Sequence, residues 1–190
     1  MSIEIKSLTP ELLDDFLYYF DNVGFVDNPD WSVCYCHFYH FPGSVKEWGK
    51  QTKESNRNAS IELIRSGKMN GFLAYSNSKP VGWCNANSRD NFSKELYKYD
   101  SQDSKTKKIA GIVCFLISPA HRKQGVARHL LKFAISSYQE KDYDLIEVYP
   151  RIGKLSDAHS YRGPVSLYKS EGFTIYKEFK GFNVMRKYLK

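Results

Sequence analysis

The stretch "FLISPAHRKQGVARHLLKFAI", residues 115–135, joins an apolar run to an amphipathic stripe through one glycine. Residues 108–118, "KIAGIVCFLIS", read as a long buried strand. Ala127, Leu130, Leu131, Ala134, Ile135 and Tyr138 then recur at three- and four-residue steps, which predicts a helix from Gly125 to about Gln139 with one face on a sheet. A strand feeding a helix across so short a turn commits the chain to mixed layers of helix and sheet.

The other elements fit that frame. "SIEIKSL" alternates as a strand, and Thr9-Pro10-Glu11 supplies helix-start chemistry for Leu12, Leu13, Phe16, Leu17 and Phe20. A second helix is expected over about 56–66, ending at Gly67. "GFLAYSNSKPVGWCNAN" reads as a hairpin, "YDLIEVYP" as a strand, "PVSLYKSEG" as a short helix, and "FTIYKEF" with "FNVMRKYL" as a closing hairpin across Lys180-Gly181. Residues 22–54 are aromatic-rich and irregular, and 91–107 form a polar excursion. The expected order is β-α-α-β-β-β-α-β-α-β-β, an α/β (α+β mixed) fold.

With 190 residues, 42% of them hydrophobic, the chain is expected to form a single domain over 1–190. No apolar stretch is long enough for a spanning helix, so no membrane role is expected. The start "MSIEIKSLTPELL" lacks the blocks of a signal peptide. A cytoplasmic protein with reduced Cys34, Cys36, Cys84 and Cys114 is the expectation.

The formal net charge of +7 is unevenly placed. From Ser104 to Gln139 there is no Asp or Glu, against seven Lys or Arg. Arg122 to Val126 fall in the strand-to-helix turn, where helix amides lack intrahelical acceptors and carry the positive end of the dipole. Gly125 permits close backbone approach, and the missing acids remove repulsion toward a phosphate. Both a P-loop and a dinucleotide fingerprint are excluded, because their glycine patterns are absent.

The spacing R-x-x-G-x-A, the preceding "FLISPAHR" and the later "LYKSEGF" together resemble the GNAT superfamily of acyl-CoA-dependent N-acetyltransferases. The resemblance covers nearly the whole chain in element order. It implies acetyl-CoA as co-substrate and a primary amine, small-molecule or peptide, as acceptor, with direct transfer in a ternary complex. It places the pantetheine arm along Phe115, Leu116 and Ile117, and the pyrophosphate on the amides of Lys123, Gln124, Gly125, Val126, Ala127 and Arg128, with Arg122 opening the cofactor-binding motif. A backbone N–H near Leu116 or Ile117 would polarise the thioester carbonyl.

Glu147, alone in the middle of an apolar strand, is the candidate base, since burial raises a carboxyl toward useful basicity. Tyr168 of "LYKSEGF" is the candidate acid for the departing thiolate. The loop "RIGKLSDAHSYRG" is longer than in many members and lacks their cofactor-touching asparagine. His159 and Tyr161 are read as solvated loop residues, with the acceptor wall as the alternative.

"CYCHFYH" has C-x-C spacing among aromatics, which favours buried thiols over a zinc site; no metal is expected. Trp83, Arg89 and the segment Trp31–Trp48 form either a pocket wall or a satellite of the core. Two other readings remain open at this stage. One is a non-catalytic acyl-CoA-binding module; the other, less favoured, is a basic nucleic-acid-binding domain.

Overall fold

A computed structural model describes residues 2–93, 106–156 and 158–190. Most of the polar excursion, together with Lys105 of the acid-free segment, lies outside those residues. In chain order the elements are β1 (Glu4–Ser7), α1 (Leu13–Asn22), α2 (Val45–Trp48), α3 (Lys53–Arg65), β2 (Gly71–Ser76), β3 (Lys79–Ser88), β4 (Ile109–Ile117), α4 (Val126–Glu140), β5 (Leu145–Val148), α5 (Val165–Ser170), β6 (Thr174–Phe179) and β7 (Phe182–Tyr188). The expected order holds, with the single-turn α2 added inside the irregular aromatic segment.

Local chemistry explains the shifted boundaries. Pro10–Leu12 form a 3₁₀ turn, and the α-helix proper begins only at Leu13. Helix α3 begins three residues before the expected position because Thr52 and Ser55 cap one another reciprocally. The β2–β3 hairpin turns on Asn77 and Ser78, both at positive φ, the geometry that matches strand twist.

The sheet is open and seven-stranded, in the order β1-β2-β3-β4-β5-β7-β6, and only the β4–β5 pair is parallel. Helix α4 covers one face, placing Val126, Leu130, Leu131, Ala134 and Tyr138 against Phe72, Ala86, Ile112, Ile146 and Val148. Helices α1 and α3 cover the other, where Phe16, Phe20, Ile64 and Leu73 surround a fully buried Trp83. Trp83 meets Phe16 edge-on at 5.1 Å. It is a core residue, not a pocket wall.

The feature that positions the site is a parting of β4 from β5. The two pair only from Ile109↔Leu145 to Ile112↔Val148. A bulge at Val113 of β4, opposite the Asn85–Ala86 step of β3, then re-aims β4. The chain after β5 stays with β7 instead: Asn183 N–H donates to the Pro150 carbonyl at 3.0 Å, and Arg151 bridges Phe182. Residues Val113–Ile117 of β4 therefore run on without β5 beside them.

Below this parting lies a buried ionic node. Glu147 and Arg186 are cross-strand partners, and the Arg186 Nε and Nη2 reach Glu147 Oε1 at 2.8 and 2.6 Å. Arg89 from the end of β3 reaches Glu147 Oε2 at 3.3 Å, and the Tyr149 hydroxyl donates to the same oxygen at 2.9 Å. The Tyr176 ring lies 3.4 Å from the Arg186 guanidinium. Glu147 is completely buried. Removing one partner of such a cluster leaves uncompensated charge in the core. Glu147→Gln is expected to cost about 3–5 kcal/mol, read by calorimetry as a thermal midpoint roughly 10 °C lower.

Candidate active site

Beside the part of β4 that β5 leaves uncovered is a cavity of about 730 Å³. Its floor is Cys114, Phe115, Leu116 and Ile117 of β4. One side is the turn into α4, and the other is the irregular segment after α1, with Ser160, Tyr161, Gly163, Pro164 and Leu167 closing the flank.

The β4 edge has lost its ladder and finds other partners. Phe115 N–H donates to the Tyr161 carbonyl at 2.6 Å. The Ile117 carbonyl accepts from Arg122 Nε at 3.1 Å; on the opposite, β3-facing edge the Leu116 carbonyl accepts from the Tyr19 hydroxyl at 2.6 Å. Strand alternation places the Ile117 N–H on the same edge as that of Phe115 and turns Leu116 toward β3. Burial pushes the Tyr19 phenol well up, so it stays a donor.

The turn into α4 is built to expose amides. After a 3₁₀ turn at Pro119–His121, Lys123 and Gly125 both adopt positive φ, at +60° and +84°. Gly125 is the N-cap; no side chain caps the helix, and no acid stands in its first turn. Gln124 Nε2 ties back to the Ala120 carbonyl at 2.7 Å and faces away from the cavity lining. Arg122, Lys123, Gly125, Val126, Ala127 and Arg128 all line the cavity. Two of the cations are anchored: Arg122 grips Asp27 through both terminal nitrogens, at 2.5 and 3.1 Å, and Arg128 holds Glu171 at 2.9 Å. The Arg122 hydrogen bond holds the Asp27 carboxyl below its ordinary value.

The two residues read as acid and base are not brought together at this cavity. Glu147 lies in the ionic node, away from the lining, with two guanidiniums and a phenol on its oxygens. The desolvated carboxyl expected from the sequence is instead a charge-compensated one, because Arg89 and Arg186 enter from distant strands. Arg89 is therefore part of the node and not of a pocket wall. Tyr168 is fully buried directly behind the flank, its hydroxyl donating to the Arg162 carbonyl at 2.5 Å. A Cβ on Gly163 would meet that hydroxyl at 2.7 Å, so one glycine separates Tyr168 from the cavity.

Several site residues left no sequence signal. Asp27 and Tyr19 reach Arg122 and Leu116 across 95 and 97 residues. Tyr161, named from the sequence as an alternative acceptor wall, lines the cavity; His159 is exposed and packs edge-on to Trp31 at 5.2 Å, so only the Tyr161 end of the long loop is a wall. Cys34, Cys36 and Cys114 also face the cavity. Burial pushes the Cys34 thiol up to about 12. A bond to Cys36, together with burial, raises Cys114. Burial alone would raise Cys36 too, but bonds from Cys114 and Asn85 hold that thiol below its ordinary value. Among the described residues no cluster of three His, Cys, Asp or Glu side chains can hold a metal. No described helix is long and apolar enough to cross a membrane.

The comparisons with known proteins agree with this geometry. Residues 32–159 match the acetyltransferase (GNAT) family, and the chain belongs to that family of acetyl-CoA-dependent enzymes. The fold is shared with an N-acetyltransferase, PaiA, from Thermoplasma acidophilum in complex with coenzyme A, at TM-score 0.56, 16% identity and 99% coverage of both chains. YncA from Salmonella typhimurium with its cofactor acetyl-CoA gives TM-score 0.56 and 15% identity over 100% of this chain and 95% of that one. A mosquito arylalkylamine N-acetyltransferase-like protein gives 0.57 and 12%, over 98% and 100%. No curated protein sequence matches the chain.

Behind the thiols, His40 Nε2 meets the Asn85 amide at 3.3 Å, and burial lowers the imidazole to about 4. A folded value below the unfolded one means that the unfolded chain binds the extra proton. Stability from this group is full above about pH 6.5, and is lost as pH falls through about 4. The loss should approach about 3 kcal/mol. His40→Gln is expected to flatten the slope of stability between those limits, measured by urea unfolding across pH.

Proposed function

We propose that the chain moves the acetyl group of acetyl-CoA to a primary amine by direct transfer in a ternary complex. The observation that carries this reading is the sharing of one cavity by the unladdered β4 edge and the uncapped turn into α4. The exposed amides of residues 123–128 suit a pyrophosphate, and the β4 edge suits the amides of a pantetheine arm. Because Tyr161 occupies the Phe115 N–H, the Ile117 N–H is the donor we assign to the thioester carbonyl.

An amine must be neutral to attack. Apolar walls disfavour the ammonium form, so the ring-lined side of the cavity itself lowers the amine's pKa. Glu147 enters this reading as a positioning residue beneath the parted strands and not as the base. Tyr168 remains our candidate acid, supported by its place behind Gly163; proton delivery would go with release of the Arg162 carbonyl.

Calorimetric titration with acetyl-CoA should show binding by the native protein that Gly125→Glu loses, with a thermal midpoint lowered only by the strain of a side chain at positive φ. Binding retained by the variant would remove the turn as the cofactor site. Tyr168→Phe should lower turnover by about 100-fold with acetyl-CoA affinity nearly unchanged; equal turnover in a thiol-release assay would refute its role as acid.

A further inference from the structure

The cavity has two chemically opposite ends. Every Lys or Arg among its described lining residues belongs to the turn into α4: Arg122, Lys123 and Arg128. The other side is built from Phe25, Trp31, Phe38, Tyr39, Trp48 and Tyr161, with Asp30 as its carboxylate, and Asp27 joins the two sides through Arg122. Asp27 is committed to Arg122, whereas Asp30 is exposed on a 3₁₀ turn beside Trp31 and forms no ion pair among the described residues.

The rings are braced from behind. Trp31 meets Tyr161 edge-on at 5.9 Å, and Trp48 meets Phe38 at 5.1 Å and Phe41 at 5.6 Å. Phe38 leans on Tyr39 at 5.1 Å, and Phe25 on Phe20 at 5.9 Å. All but Tyr39 remain half-exposed, so aromatic surface is left toward the cavity by rings that cannot collapse into it. Fixed rings lose little rotamer freedom when a ligand arrives, which favours binding.

From this arrangement, and resting on the acetyl-transfer reading above, we infer that the acceptor is a primary monoamine carried on an aromatic or bulky apolar group. A polyamine or aminoglycoside would bring several ammonium groups to an end with one uncommitted carboxylate. A free amino acid would bring its carboxylate up to Asp30, and the cation nearest these rings, Arg162, lies over Tyr161 at 5.8 Å and donates to the Tyr39 hydroxyl at 3.3 Å, outside the cavity lining. An arylalkylamine satisfies both constraints. Its ring packs on the fixed aromatics, and its ammonium meets Asp30 and the ring faces on entry. In the transfer the nitrogen forms the C–N bond, the thioester C–S bond breaks, and the proton shed by nitrogen is balanced by the one gained by the sulfur.

The test measures thiol release from acetyl-CoA with the full chain and four probes: 2-phenylethylamine, spermidine, kanamycin and glycine. In parallel, calorimetry with CoA present follows binding of 2-phenylethylamine. The inference expects kcat/KM for phenylethylamine at least ~10-fold above the others. Trp31→Ala should raise the amine KM with acetyl-CoA KM unchanged, and Trp31→Phe should restore most of it. Preferred turnover of spermidine, kanamycin or glycine would overturn the acceptor class while leaving the acetyl-transfer reading intact. Phenylethylamine binding without transfer to any probe would uphold the aromatic site and overturn the transfer reading. Neither binding nor transfer would overturn both.

Discussion

Everything at this site depends on the failure of β5 to follow β4 beyond Val148. Backbone groups denied a ladder must find partners elsewhere. The open edge of β4 does so with a guanidinium from the turn into α4 and a carbonyl from the long loop. Those two partners bring two walls of the cavity to one strand. The cavity is thus the consequence of one interrupted pairing, and the contacts that complete the strand are the ones that assemble the site.

An interrupted sheet is a weakness, and the structure places its most strongly bonded group just below the gap. Glu147 is the last charged residue of β5, with Arg186 directly across on β7 and Arg89 arriving from β3. The node spans strands on both sides of the β4–β5 pair. Its Coulombic gain offsets desolvation only because three partners share two oxygens. Tyr149 continues the connection upward, one face of its ring packing with Tyr39 and Val113 near the cavity.

What the sequence made legible follows the range of the interactions. The strand–turn–helix unit was readable because its strand, its glycine and its stripe are consecutive and each obeys a local rule. Gly125 at positive φ and the uncapped helix start are where the spacing R-x-x-G-x-A put them. Helix α3 was readable within three residues, and its start was missed because a Thr–Ser capping box is weaker in sequence than Ser–Glu. Glu147 was legible as an oddity but not in its surroundings. A mid-strand carboxylate announces a buried partner or a catalytic base equally, and only the register shows that Arg186 stands opposite it. Asp27 and Tyr19 were illegible for the same reason: their contacts are made across tens of residues by segments that do not adjoin the strand.

The thiols also bear on how the acetyl group travels. Three of them face the cavity beside the strand assigned to the thioester, which invites a covalent acyl-cysteine route. A thiol attacks as its thiolate. Cys34 and Cys114 are held in the protonated form well above neutral pH, and so are poor nucleophiles. Cys36 is held low, but by donors that occupy its sulfur: the Asn85 amide lies 3.3 Å away, and Cys114 donates its own S–H. Lone pairs engaged by buried donors must be released before they can attack a carbonyl, at a cost the neutral amine does not bear. The same hydrogen bonds that favour the Cys36 thiolate therefore blunt it, which weighs toward the amine attacking the thioester directly.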